Sequence, residues 1–120
     1  MTVEIHKTIV VRFFQEGLKN GQTDIFEEIL TPNCTYTPEG KLMCSNRDEF
    51  TAYVIEALEP YIKREITIDS IFAEDDNVAV RCTYYFDTNE AQYVMKVMGF
   101  FEFSEGKIVK IWRNAVTANG

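Results

Sequence analysis

The chain changes its hydrophobic period once, near residue 60, and that change constrains the fold more than any other feature. Before it, apolar residues recur at three- and four-residue spacing; after it, they alternate. Glu65 to Ala73, Val78 to Phe86, Tyr93 to Phe103 and Ile108 to Ala115 read as four strands. Their connections are Glu74-Asp75-Asp76-Asn77, Asp87-Thr88-Asn89-Glu90 and Ser104-Glu105-Gly106. Links this short join only antiparallel neighbours. Helices first and a meander last predict an α+β domain: three N-terminal helices packed on one face of a strongly curved antiparallel sheet. No repeat or linker divides the 120 residues, a length that suits one domain spanning 1–120.

In the helical half, Ile5, Ile9, Val10, Phe13, Phe14 and Leu18 form a wide apolar stripe. Thr2 is placed to cap its start, and Asn20-Gly21 to supply a left-handed stop. A short second helix is expected over about Asp24 to Leu30. Asp24 and Glu27 resemble a capping box there, and Pro32 prevents continuation. Cys34 to Thr37, the turn Pro38-Glu39-Gly40, and Lys41 to Cys44 read as a small hairpin or extended arm. The third helix begins near Ser45 or Asn46, with Asp48 and Glu49 in its positive first turn. It turns Phe50, Tyr53, Val54, Ala57 and Leu58 inward and ends before Pro60.

The formal net charge of −7 argues against nucleic acid and against an anionic membrane surface, since both select clustered Lys and Arg. No apolar run approaches the ~20 residues of a membrane span. The start, MTVEIHKTIVVRFF, lacks the basic-then-apolar plan of a signal peptide, so a cytoplasmic protein is expected. Three cysteines at unpatterned spacing fit reduced thiols in that compartment. No His/Cys/carboxylate spacing matches a zinc or iron site, and no metal or cofactor is expected.

The order helix, helix, short arm, helix and four long strands resembles the SnoaL-like branch of the nuclear transport factor two-like superfamily. Gly17-Leu18-Lys19-Asn20-Gly21, Asn46-Arg47-Asp48-Glu49-Phe50 and the run Phe101 to Arg113 carry the local likeness. The resemblance implies a cone whose open end admits a small, mostly apolar molecule, and pairing of two copies through the outer sheet face. It also implies positions for known chemistry, and these are occupied by the wrong residues. Where ketosteroid-isomerase-like members carry a Tyr and two Asp, this chain has Phe14, Thr37 and Gly99. Where SnoaL-type cyclases place a His and an acid around a Trp, Ile111 and Arg113 flank Trp112. The Asp-Arg-Asp relay of epoxide hydrolases of this fold has no counterpart on the strands. No catalytic residue is assigned.

Alternation places Met95, Val97, Gly99 and Phe101 on the inner face, and the family register adds Ile111 and Arg113. With Phe14, Thr37 and Tyr53, these are the candidate ligand contacts. A guanidinium beside an apolar pocket requires a partner. That partner is a ligand carboxylate or carbonyl, an internal carboxylate such as Glu39 or Asp69, or water if the side chain lies exposed at the rim. Tyr36 and Tyr84 are further aromatic candidates at the pocket. His6, the only histidine, is read as exposed on helix one. Cys34 and Cys44 would oppose each other in a hairpin symmetric about Glu39, and are read as reduced. The turn at Glu74 to Asn77 is read as solvated, without the glycine and final Glu of a calcium loop.

The strand Tyr93 to Phe103 is apolar on both faces. Val94, Met98 and Phe100 point outward, joined by Trp112, so a homodimer through this outer face is expected. Three functions compete: a module that binds a small, largely apolar ligand; an isomerase, cyclase or hydrolase acting on a small polycyclic or terpenoid-like substrate; and a dimeric scaffold with a filled core.

Overall fold

The computed structural model describes residues 2–118. Helix α1 spans Val3–Arg12, and the Thr2 hydroxyl accepts from the Ile5 amide at 3.3 Å, as its cap position predicts. The helix then widens into a π-helical segment, Phe13–Lys19, which buries Phe13, Phe14 and Gly17 together. The second helical region is shorter than expected. A 3-10 turn over Thr23–Ile25 leads into α2, Phe26–Ile29, and neither start has a side-chain cap. The Asp24–Glu27 capping box therefore does not form. Helix α3 spans Arg47–Leu58, where the Asn46 side chain accepts from the Glu49 amide at 2.9 Å and Glu49 accepts from the Ser45 amide at 2.8 Å.

One sheet holds five strands: β1 Leu30–Pro38, β2 Lys63–Glu74, β3 Asn77–Asp87, β4 Gln92–Ser104 and β5 Lys107–Thr117, in the order β1-β5-β4-β3-β2. β2 to β5 form the expected antiparallel meander, and the sheet is not closed. β1 departs from expectation by running parallel to β5, so the sheet is mixed rather than wholly antiparallel. The arm that reads locally as a hairpin keeps only one bridge of that kind, Tyr36 with Cys44. The free edge of β5 takes the rest of β1, supplying more backbone hydrogen bonds than a four-residue return strand offers. Pro32 lies where the β1 register shifts, an edge position that needs no ladder donor.

Helices and sheet meet over a cluster of phenylalanines. Phe13 packs on Phe14, Phe50 and Phe101 with ring centroids 5.1, 5.9 and 5.2 Å away, and Phe26 lies 5.3 Å from Phe50. Gly17 admits this packing, because a Cβ there would lie 2.7 Å from the Phe26 ring.

His6 is not exposed. It is 1% accessible, stacked on Phe103 with centroids 4.2 Å apart, and its Nδ1 lies 3.1 Å from the Asp75 carbonyl oxygen. Ile5, read as buried, is instead 44% exposed. The β2–β3 turn closes over the first turn of α1 and selects the imidazole face, a long-range contact that helical spacing does not contain. Asp75 adopts φ 53° in that turn, which Asp tolerates better than most residues.

Gly17→Ala is expected to destabilise the fold despite alanine's ~1 kcal/mol advantage in helices, because overpacking costs about 1–3 kcal/mol and the Phe26 ring is fully enclosed. A urea midpoint at or above that of the unaltered protein would show that the ring can give way.

Candidate functional site

Beyond the phenylalanine cluster the cone is hollow. A cavity of about 160 Å³ lies between α3, the π-helical segment and the inner sheet face. Met95, Val97, Gly99 and Phe101 of β4 line it, with Ile111 and Arg113 of β5, Phe14 and Tyr53. These are candidate positions from the sequence, and the structure brings them together. Thr37 is not among them. It is in register with Trp112 and lies against the outer groove, while Tyr36, in register with Ile111, takes the inward position. In β1 the inward residue is therefore Tyr36, one position before the one that family resemblance implies.

Sequence reading also missed Phe13, Leu18, Tyr61 and Phe86, which join the wall along with Trp112 and the inward residues of α3. Phe86 was recoverable, since it continues the inward alternation of Val78, Val80, Cys82 and Tyr84. Tyr61 was not, because it follows α3 in a connection without periodicity and reaches the cavity through its packing on Phe86 at 5.0 Å.

The polar end of the cavity is built from Arg113 and three phenols. The guanidinium and the Tyr36, Tyr53 and Tyr84 side chains line the same cavity, near enough to act on one another electrostatically. The Tyr36 and Tyr53 rings are 5.4 Å apart, and Tyr84 stacks on Phe86 at 4.9 Å. Burial raises the pKa of both Tyr36 and Tyr84, with Arg113 opposing it more weakly, so both phenols are neutral at physiological pH. Burial also works against the charge of Arg113, but the surrounding phenol oxygens outweigh it and raise its pKa.

Among the described residues, Arg113 makes no ion pair with a carboxylate. The two internal partners suggested by sequence are engaged elsewhere. Asp69 accepts from the Thr83 hydroxyl at 2.7 Å, and Glu39 accepts from the Ala115 amide at 2.9 Å. The cavity therefore presents a cation and polarised hydroxyls against apolar walls. It can hold an anionic or carbonyl oxygen; no carboxylate or imidazole among the described lining residues offers a general base.

Helices packed on one face of an open, mixed five-stranded sheet are the architecture of the nuclear transport factor two-like class. The SnoaL-like domain model matches residues 10–111, and the chain belongs to that family. Solved structures agree on the fold. TsrD from Streptomyces laurentii has a TM-score of 0.82 at 12% identity, covering 96% of this chain and 90% of its own. A candidate SnoaL-like polyketide cyclase from Jannaschia sp. CCS1 has a TM-score of 0.81 at 16% identity, covering 97% and 87%. An LEH-like epoxide hydrolase from M. tuberculosis has a TM-score of 0.73 at 19% identity, covering 88% and 79%. No curated protein matches the chain in sequence.

The cysteines stand apart from this site. The single bridge pairs Cys44 with Tyr36, not with Cys34, and all three thiols are free and buried. Burial pushes Cys34 and Cys82 up to about 12 and raises Cys44 as well. A thiol reacts as its thiolate, which forms only as pH approaches the pKa. At pH 8 the folded protein should therefore resist iodoacetamide at all three cysteines and take it up after denaturation. Mass spectrometry showing rapid alkylation of the native protein would contradict this.

Proposed function

We propose that this protein binds a small, largely apolar molecule whose one anionic or carbonyl oxygen is held by Arg113 with the hydroxyls of Tyr36 and Tyr84. The observation that carries this reading is a guanidinium without a carboxylate partner at the edge of an apolar cavity. An unpaired charge in such a place is costly, and a ligand oxygen supplies the missing acceptor. The volume is below the roughly 300–1,000 Å³ of drug-sized sites, which favours a ligand of one or two rings over an enclosed polycycle. The missing general base favours binding over proton-abstraction chemistry.

The test compares 2-naphthoate with 2-methylnaphthalene, which shares its rings and lacks the carboxylate. Arg113→Gln should weaken naphthoate about 10- to 100-fold, as expected for losing hydrogen bonds to a charged group. Affinity for methylnaphthalene should change little. Equal naphthoate affinity in both proteins, measured by NMR titration, would remove the reading.

We also propose that two copies pair through the outer sheet face. Met98 is 63% exposed, Phe100 40%, Trp112 39% and Phe72 70%, and a groove of about 500 Å³ runs among them. Val94 lies on the same face and is half-buried. Arg81 and Lys96 share the face with Asp69 and Glu102, so a two-fold pairing can set opposite charges together. Light scattering at micromolar concentration should return the mass of a dimer, and Phe100→Glu should return that of a monomer. A monomer mass for the unaltered chain would refute the pairing. Unpaired thiols suit a reducing compartment, and we assign the protein to the cytoplasm. Among the described residues no helix is long and apolar enough to cross a membrane.

A further inference from the structure

The last residue pair between β1 and β5 is Pro38 with Arg113. At Glu39 the chain turns away from the sheet, with φ 53° at Glu39 and 78° at Gly40. Arg113 therefore sits where β5 loses its neighbour on one side. On the other side its partner in β4 is Gly99, which has no side chain to hold the guanidinium in place.

Two hydrogen bonds from Glu39 close this gap. Its amide donates to the Arg113 carbonyl oxygen at 2.8 Å, as the next residue of a parallel ladder would. In an uninterrupted ladder its carbonyl would then accept from the Ala115 amide. The chain has already turned, and the Glu39 carboxylate accepts that bond at 2.9 Å instead. The side chain thus stands in for the missing main-chain acceptor. Its two bonds bracket the segment that directs Arg113 and Ala115 inward and Asn114 outward.

We propose that Glu39 is a positioning residue for Arg113: by extending the β1–β5 ladder one step past the turn, it holds the guanidinium toward the cavity. The proposal rests on the reading of Arg113 as the ligand contact. It also accounts for the fate of a carboxylate that an ion pair with Arg113 would otherwise have claimed. A bond to the backbone leaves the guanidinium uncompensated and available.

The experiment titrates 2-naphthoate and 2-methylnaphthalene into the unaltered protein and into Glu39→Ala, Glu39→Asp, Glu39→Gln and Arg113→Gln. Glu39→Ala should weaken naphthoate about tenfold, a loss of the size expected for misplacing a charged donor, and leave methylnaphthalene within about twofold. Glu39→Asp keeps the charge but is one methylene too short, and should behave like Glu39→Ala. Glu39→Gln keeps an acceptor oxygen at the same reach and should bind nearly as the unaltered protein does. Glu39→Ala and Glu39→Gln remove the same charge, so their difference isolates the hydrogen bond from the field of the carboxylate.

Equal weakening of both probes in Glu39→Ala would mean general deformation of the cone and would overturn the proposal. So would naphthoate affinity that does not change. If Arg113→Gln itself keeps naphthoate, the binding reading falls and takes this one with it. If Arg113→Gln loses naphthoate while Glu39→Ala and Glu39→Asp keep it, only the role of Glu39 falls. Should Glu39→Ala fail to fold, Glu39→Asp and hydrogen exchange decide. The Ala115 amide of the unaltered chain should be protected, and exchange at the rate of an open strand edge would refute the bond.

Discussion

The register of β5 between β1 and β4 decides which of two neighbouring residues, Trp112 or Arg113, faces the cavity. Side chains alternate along a strand, so a slip of one residue would exchange them. Arg113 would then meet water on the outer face, and an indole would fill the pocket. Pairing of Gly99 with Arg113 and of Phe101 with Ile111 sets the register from one side, and Tyr36 with Ile111 sets it from the other. The burial of Phe101, Ile111 and Tyr36 makes any other register costly, since each slip would expose large apolar area at roughly 25 cal/mol per Å².

The same alternation sorts the aromatic residues by role. Phenylalanines from α1's continuation, α2, α3 and β4 pack ring against ring where the helices meet the sheet. Tyrosines from β1, α3 and β3 line the cavity beside Arg113, where each hydroxyl needs a polar neighbour. Arg113 is the charged neighbour of Tyr36 and Tyr84 there. A carboxylate in place of the phenols would have cancelled its charge.

The outer face follows from a different constraint. Helices cover the sheet on one side only, and β4 carries large apolar residues on both. Glu102 accepts from the Trp112 indole at 2.9 Å, and Thr83, Asp69 and Lys96 form a small polar chain nearby. These groups satisfy one another within a single copy. What they leave exposed is hydrophobic area.

Most of the architecture was legible because it rests on local periodicity. The change from helical to alternating spacing near residue 60, the three tight turns and the Asn46 cap all act between residues close in the chain. They determined the α+β class, the meander and the inward set on β4, while the inward placement of Ile111 and Arg113 on β5 was implied by the family resemblance. What only the tertiary structure decided depends on pairings distant in sequence. β1 joined the sheet in parallel with β5, about 75 residues later, and so replaced Thr37 with Tyr36 in the cavity. The β2–β3 turn buried His6 against Phe103 in place of Ile5. The Glu39 carboxylate reached the Ala115 amide rather than the Arg113 guanidinium. In each case the local pattern was compatible with two placements, and a partner contributed from far along the chain selected one.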